Sequence, residues 1–327
     1  MKHRFFFSLF FILTLSLCAA ETTPLQIRII CLNNQAGLGQ DYRILEEELT
    51  HLGHSVQYGD PKEEPDSSVD INLFIEKISI PYMTHAEKNY FIPNPEWYRE
   101  NNKILQKCDL VLCRNQLALK TFKKKKCKTY FLNFTSFDRY TAGVEKDYYR
   151  PLHTKGVSNL KSTNEVIGAW KIRPDFPVLT FTQIYALFNP QIENIHTITG
   201  FIPSEELIEI QNSHGLHICP SQAEGFGHYI IEGMSTGAVV VTTDAPPMNE
   251  YITDKRCLVP VHDYFDRGVT RIYKIHSKNL AAVVSKLFLL NEDELRKIGE
   301  RNRNYYLEQK ADFRLRLKAL FGDTGQS

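Results

Sequence analysis

Short apolar runs alternate with amphipathic stretches along almost the whole chain. Residues 25–32, Leu-Gln-Ile-Arg-Ile-Ile-Cys-Leu, predict a strand. Ile44, Leu45, Leu49 and Leu52 then fall on one helical face with Glu46, Glu47 and Glu48 largely opposite, and Gly53 stops that helix before a second strand at 54–58. Residues 69–75, 109–113 and 128–132 predict further strands, with a helix at 116–122. Polar residues 33–41 and 60–68 read as loops, and residues 82–97, irregular and rich in aromatic and polar groups, as loops lining a cleft.

The rhythm restarts after a polar stretch at 138–146. Strands are expected at 149–152, 178–181, 195–199, 215–219, 238–243 and 258–261. Helices are expected from Ser162 to about Trp170, where Ser162-Thr163-Asn164-Glu165 has capping-box spacing, from Ser204, and over 279–290 and 292–320. The unbroken apolar run at 238–243 suits a parallel sheet covered on both faces. Alternating strands and helices in both halves predict an α/β protein of two doubly wound, Rossmann-like domains facing across a cleft. The boundaries read as 24–140 and 147–321, with a frayed tail at 322–327.

Composition adds little to this picture, except at the N-terminus. The chain has 327 residues, 24% charged and 12% aromatic, with a formal charge of +1, which is globular and gives no global sign of nucleic-acid binding. Lys123 to Lys126 form a local basic run that reads as a solvated face, with peripheral membrane contact as the alternative. Lys2 and Arg4 precede an apolar run from Phe5 to Leu17, and Cys18-Ala19-Ala20 supplies small residues, so residues 1–20 are expected to be a signal peptide for the secretory pathway or export. An uncleaved anchor is the alternative. Of the 7 cysteines, Cys31 and Cys219 fall in expected buried strands and no CxxC pair occurs, so neither a cysteine zinc site nor any other metal site is expected.

The candidate chemistry gathers at Pro220 to Gly233, where a buried strand runs through a glycine-bearing turn into a helix. Small residues there let a ligand approach the backbone, and the helix N-terminus offers unpaired N–H groups to phosphate. Glu224 falls in the turn and Glu232 about two turns into the helix. A second loop, His153 to Lys161, sets Lys161 beside another helix start, where an ammonium and the helix dipole together suit a diphosphate. In the first half, Gly37-Leu38-Gly39 opens a β-loop-α unit but lacks the third glycine of a dinucleotide fingerprint, which makes it a substrate-facing loop. His85 and Glu96 are acceptor-side candidates.

With Gly237, the strand Val239-Val240-Val241 and Thr242-Thr243-Asp244, the Glu224-Gly225-Phe226-Gly227…Glu232 pattern (E-x7-E) resembles the nucleotide-sugar site of retaining glycosyltransferases of the GT-B fold, glycosyltransferase family 4. The resemblance implies that Glu232 binds the donor ribose, that Glu224 contacts the donor sugar, and that the amides of Gly225 to Gly227 meet sugar or phosphate. It makes His153 to Lys161 the first phosphate loop, with Gly156 and Lys161 in the expected places. Family members often carry an arginine after that glycine. Here Val157 follows, and Lys155 substitutes in charge without the forked geometry.

The resulting expectation is a retaining, metal-independent hexosyltransferase. It takes a UDP- or GDP-linked sugar, uses no cofactor, binds no nucleic acid, and transfers to a hydroxyl on a glycan, lipid or protein. Glu224 and Lys161 are its catalytic candidates, and Lys155, Gly156, Gly225, Phe226, Gly227 and Glu232 its donor-binding ones. A non-catalytic nucleotide- or glycan-binding GT-B module is the alternative. A glycoside hydrolase using Glu224 and Glu232 ranks lower, and a dehydrogenase lower still.

Overall fold

The computed structural model describes residues 23–32 and 37–322. The expected signal peptide and most of the expected tail lie outside the described residues. No described helix is long and apolar enough to cross a membrane.

The first half runs β1 (Gln26–Ile30), α1 (Gly37–His51), β2 (Ser55–Gly59), β3 (Val69–Ile75), β4 (Ala86–Ile92), α2 (Asn102–Leu105), β5 (Leu110–Cys113), α3 (Gln116–Lys124) and β6 (Thr129–Phe131). These strands form one parallel sheet in the order β2-β1-β3-β4-β5-β6. The second half runs β7 (Asp147–Thr154), α4 (Thr163–Ile172), β8 (Leu179–Gln183), β9 (Ile195–Thr199), α5 (Ser204–Ser213), β10 (His214–Ile218), α6 (His228–Ser235), β11 (Val239–Thr243), β12 (Leu258–Val259), β13 (Val261–Arg267), β14 (Thr270–Ile275), α7 (Ser277–Phe288) and α8 (Glu292–Phe321). Its parallel sheet has the order β12-β11-β10-β7-β8-β9, and β13 and β14 form a separate antiparallel hairpin. Two Rossmann-like domains are therefore present, as expected.

Several elements depart from expectation. Gly37 to Asp41, read as loop, is the first turn of α1, which buries Leu38 and Asp41 as well as Ile44, Leu45 and Leu49. Glu48, read as solvent-facing, is also buried, because Arg314 donates to both of its oxygens at 2.7 and 2.9 Å. Strand β4 lies inside the stretch read as irregular. Only its second half, Asn89 to Ile92, is buried; Glu87 and Lys88 are exposed, so the apolar signal is short. The hairpin was likewise not foreseen. Ser162 precedes α4 in a left-handed conformation (φ 42°) and makes no side-chain cap, so the capping box is absent.

Helix α8 ties the halves together. It opens with a true capping box between Asn291 and Glu294. Leu295 and Ile298 pack in the second domain's core, whereas Phe313, Leu317 and Phe321 pack with Ile27, Ile29 and Leu112 of the first. The C-terminal half of α8 thus belongs to the N-terminal domain's core, across the boundary drawn from the sequence. Gly299 permits this path, since a Cβ there would strike the carbonyl of Gly237. Between the domains, Phe134 meets Phe226 and Phe313 edge-on, with ring centroids 5.2 and 5.1 Å apart.

Candidate functional site

Both sheets change direction beside the space that separates them. In the second sheet β7 and β10 are neighbours although the chain between them forms β8 and β9; in the first, β1 lies between β2 and β3. Ligands of doubly wound folds sit outside the carboxyl ends of strands at such switch points. Here the loops after β7 and β10 face Glu76, after β3, and Asn94 to Trp97, after β4, across a cleft of about 620 Å³.

The loop after β10 carries the denser chemistry. Gly227, at φ 99°, has a backbone that only glycine adopts readily, and it turns the chain into α6. Gly227 and His228 bring that helix N-terminus to the cleft wall. Before it, Ser221 Oγ donates to Glu224 Oε1 at 2.5 Å and lies 2.6 Å from the Tyr229 hydroxyl. Burial raises the Glu224 carboxyl above its usual range, against the pull of Lys161 and Ser221. Glu232 lies just over one turn into α6 and is held differently. Arg139 donates to Oε1 at 3.1 Å, Gln40 of α1 donates to the same oxygen at 2.7 Å, and Gln211 donates to Oε2 at 3.2 Å. Burial pushes this carboxyl up, but Arg139, His228 and the two amides outweigh it, so Glu232 is held below the usual range and ionised.

The loop after β7 is anchored by His153. One ring nitrogen lies 2.7 Å from the carbonyl of Ile218 and the other 3.0 Å from Thr163 Oγ1, which joins the loop's stem to β10 and to α4. Burial lowers this imidazole to about 4, so it is neutral near pH 7 and Nδ1 donates. Lys161 reaches the cleft: Nζ donates to the carbonyl of Thr154 at 3.4 Å and sits 3.6 Å from the centre of the Tyr229 ring. Burial lowers its pKa, against the attraction of Glu224 and Glu232. Gly156, at φ 57°, folds over it, the position of an added Cβ lying 3.8 Å from Nζ.

On the N-terminal side, Gly225 has no room for a side chain because Asn94 Oδ1 and both Glu96 oxygens occupy the position of a Cβ. Asn115 donates to the Gly225 carbonyl at 2.7 Å, and Glu250 of the second domain accepts from the first amides of α3, Gln116 and Leu117, at 2.8 and 2.9 Å. Buried Asp41 accepts from Arg114 at 3.0 Å and lies 2.9 Å from His228 Nε2. The domains therefore meet through polar bridges at the cleft floor as well as through aromatic packing.

Glu224, Glu232, Lys161, Gly156, Gly225, Phe226, Gly227, Gly37, Leu38 and Glu96 all line the cleft. Three candidates do not. Lys155 is 2% exposed and faces a separate pocket of about 250 Å³ behind the loop, beside Phe188 and the start of α4. Its substitution for the missing arginine is therefore corrected: no charge of Lys155 is presented to the cleft. His85 precedes β4, at the sheet end away from the cleft, where its ring is bound to Pro81 and Thr84. Gly39 lies within α1, outside the lining. Phe226 reaches the lining but is 2% exposed, its ring spent on the aromatic contact between the domains. Sequence reasoning missed Gln40, Asp41, Glu76, Trp97, Arg114, Arg139 and His228. Arg139 stands in the polar stretch read as the boundary between the halves, His228 lies inside the Glu224 to Glu232 motif and Gln40 and Asp41 follow Gly39 directly, and the others sit in stretches that carry no local motif.

Residues 189–304 match the family model described as glycosyl transferases group 1. The serotype-specific mannosyltransferase WbdA of Escherichia coli is 26% identical over 125 residues, 37% of this chain and 15% of that protein. The matched stretches span less than a third of the curated relatives' own lengths. Among solved structures, sucrose-phosphate synthase from Thermosynechococcus elongatus superposes at TM-score 0.67 with 13% identity, over 91% of this chain and 98% of that one. Alr3699/HepE of Anabaena, solved with UDP and glucose, does so at 0.65 with 13% identity, over 91% and 100%. At such identities the likeness speaks for the fold. The chain has the GT-B fold, and the stretch that holds its second loop matches glycosyl transferases group 1.

Proposed function

We propose that the protein is a glycosyltransferase that takes a sugar from a UDP- or GDP-linked donor and passes it, with retention, to an acceptor hydroxyl. The observation that carries this reading is the convergence of Glu224, Glu232, Lys161 and the N-terminus of α6 on one cleft at the switch point of the second sheet. Lys161 and the α6 amides would face the diphosphate, stabilising the charge that develops as the bond from C1 to phosphate oxygen breaks. This field needs no metal. Glu232, ionised, would accept from the ribose hydroxyls, in competition with Gln40. Glu224 would contact the donor sugar, and Ile184 and Leu207 would offer an apolar wall to the base. The acceptor hydroxyl attacks C1 from the leaving-group side, and a phosphate oxygen takes its proton.

Hydrolysis is a second reading with one observation in its favour. Glu96 is buried across from Glu224, and burial together with that neighbour raises it to about 8, so it stays protonated at neutral pH. A nucleotide-sugar panel with and without acceptors separates the two. Transfer requires the nucleotide sugar and an acceptor, and Glu232→Ala lowers it at least about 100-fold. Release of free sugar from a simple glycoside without nucleotide would establish hydrolysis instead.

A further inference from the structure

Among the described residues that line the cleft, Trp97 is the most exposed aromatic group. It is 44% exposed and lines the cleft, whereas buried Trp170, the chain's other tryptophan, spends its indole N–H on the carbonyl of Pro177 at 2.9 Å. The guanidinium of Arg267, from the hairpin of the second domain, lies 4.6 Å from its ring centre and fixes the ring's orientation. Beside it stand three polar groups of the first domain. Asn94 donates to Glu76 Oε2 at 2.8 Å, and Glu76 enters the cleft from a left-handed residue (φ 68°) at the end of β3. Glu96 is 7% exposed, and its Oε2 has no hydrogen-bond partner. A buried carboxyl oxygen without a partner is costly, and a ligand that supplies one relieves the cost.

We propose that Trp97, Glu76, Asn94 and Glu96 form an acceptor subsite for a neutral sugar ring, so that the acceptor is a glycan. The inference rests on the transferase reading for the word acceptor, but the site itself requires no donor. A sugar offers an apolar C–H face to an aromatic ring and hydroxyls at its edge, which matches an indole wall beside two carboxyls and an amide. Burial and the neighbouring Glu224 keep Glu96 protonated to about 8, so it donates as well as accepts below that pH. Glu76 and Glu224 also face this space, while Arg114 is committed to Asp41 and Arg267 to the Trp97 ring, so an anionic sugar is disfavoured.

The two-tryptophan composition makes the test direct. Tryptophan emission of the full chain is titrated, without donor, against neutral methyl glycosides of glucose, galactose, mannose and N-acetylglucosamine, and against methyl glucuronide. At least one neutral glycoside is expected to shift the emission saturably, with the glucuronide at least about tenfold weaker. Trp97→Phe removes the emission response, and by saturation-transfer NMR it weakens the same glycoside about tenfold with an unchanged circular-dichroism spectrum. Binding weakens above pH 8 in the native chain while its circular-dichroism spectrum and thermal midpoint hold, but stays level in Glu96→Gln, a combination that a merely structural glutamate would not produce. Silence toward every neutral glycoside, a response that survives in Trp97→Phe, or transfer to a serine peptide that Trp97→Phe leaves unchanged would each overturn the proposal. A chain that binds UDP or GDP while Trp97 stays silent loses only this inference. A chain that binds a glycoside at Trp97 but no nucleotide loses only the transferase reading.

Discussion

The two loops that meet at the cleft from the second domain are built to different standards. The loop after β10 is braced on all sides: Ser221 holds Glu224, Asn115 holds the Gly225 carbonyl, Phe226 is locked into the aromatic contact between the domains, and three side chains hold Glu232. The loop after β7 sends a single cation, Lys161, into the cleft and turns the other, Lys155, behind itself. A site of this kind places most of its shape in one loop and most of its positive charge in one residue of the other. The forked arginine expected of the first loop is not replaced there. The arginines that do line the cleft, Arg114 and Arg139, come from the N-terminal domain and the polar stretch at its boundary, and each is committed to a carboxylate, Asp41 and Glu232 respectively.

That contrast can be broken most severely at Glu232. Glu232→Ala leaves Arg139 without its partner and removes the group proposed for the ribose. A loss of at least about 100-fold in kcat/KM, equivalent to about 2.7 kcal/mol, is expected, together with about 3 kcal/mol of stability from the orphaned buried charge. Steady-state kinetics and denaturant titration read the two effects separately. Next comes the pair of lysines. Lys161→Ala is expected to lower kcat by about 100-fold, as loss of a preorganised charge on a leaving group does, whereas Lys155→Ala changes kcat by less than about threefold. Equal losses at both would show that the loop moves Lys155 into the cleft during turnover.

Smaller effects sharpen the other half of the comparison. Gly225→Ala places a Cβ against Asn94 and Glu96, which is expected to cost about 1–3 kcal/mol of stability by overpacking, measurable by thermal unfolding. Glu96→Gln tests the proton. Because the folded carboxyl titrates near 8, far above its unfolded value, the folded state holds the extra proton between those limits. The glutamate's stability contribution therefore falls as pH rises from about 4.5 to 8. Glu96→Gln is expected to match the native chain near pH 4.5 and to exceed it by roughly 4 kcal/mol at pH 8. A constant difference across that range would mean that Glu96 is ionised throughout.

How much of this was legible in the sequence differs between the same regions. The second loop announces itself: a run of apolar residues, a glycine pair around Phe226, and Glu232 at a fixed spacing are local signals, and the structure buries the first as β10 and brings the others to the cleft. The strands were mostly legible for the same reason, since β5 and β11 are short, bounded and largely apolar runs. Strand β4 was not, because its first half lies exposed at the sheet's N-terminal end and only Tyr90, Phe91 and Ile92 advertise burial. The hairpin β13–β14 was hidden by the exposure of β13, where Tyr264 and Phe265 stay near half exposed and no alternation marks an inner face, while in β14 the alternation is brief, with buried Thr270 and Ile272 flanking exposed Arg271. The bridges from Gln40, Asp41, Arg114 and Arg139 could not be read locally at all. Each joins residues roughly 70 to 190 positions apart, and only the docking of the two domains, with α8 returning across them, makes them neighbours. Lys155 was misplaced because a charge inside a phosphate loop, just before its glycine, looks available until its side-chain direction is known.

Donor binding tests the shared site most directly. Thermal unfolding of the native chain, Lys161→Ala and Lys155→Ala is measured with UDP, GDP and their sugar conjugates. The native chain and Lys155→Ala should be stabilised by one nucleotide series, by about 2.7 kcal/mol at a hundredfold excess over Kd, and Lys161→Ala should lose most of that gain. No stabilisation of the native chain by any nucleotide, or the same gain in Lys161→Ala as in the native chain, would contradict a nucleotide-sugar site built on Lys161 and the loop after β10.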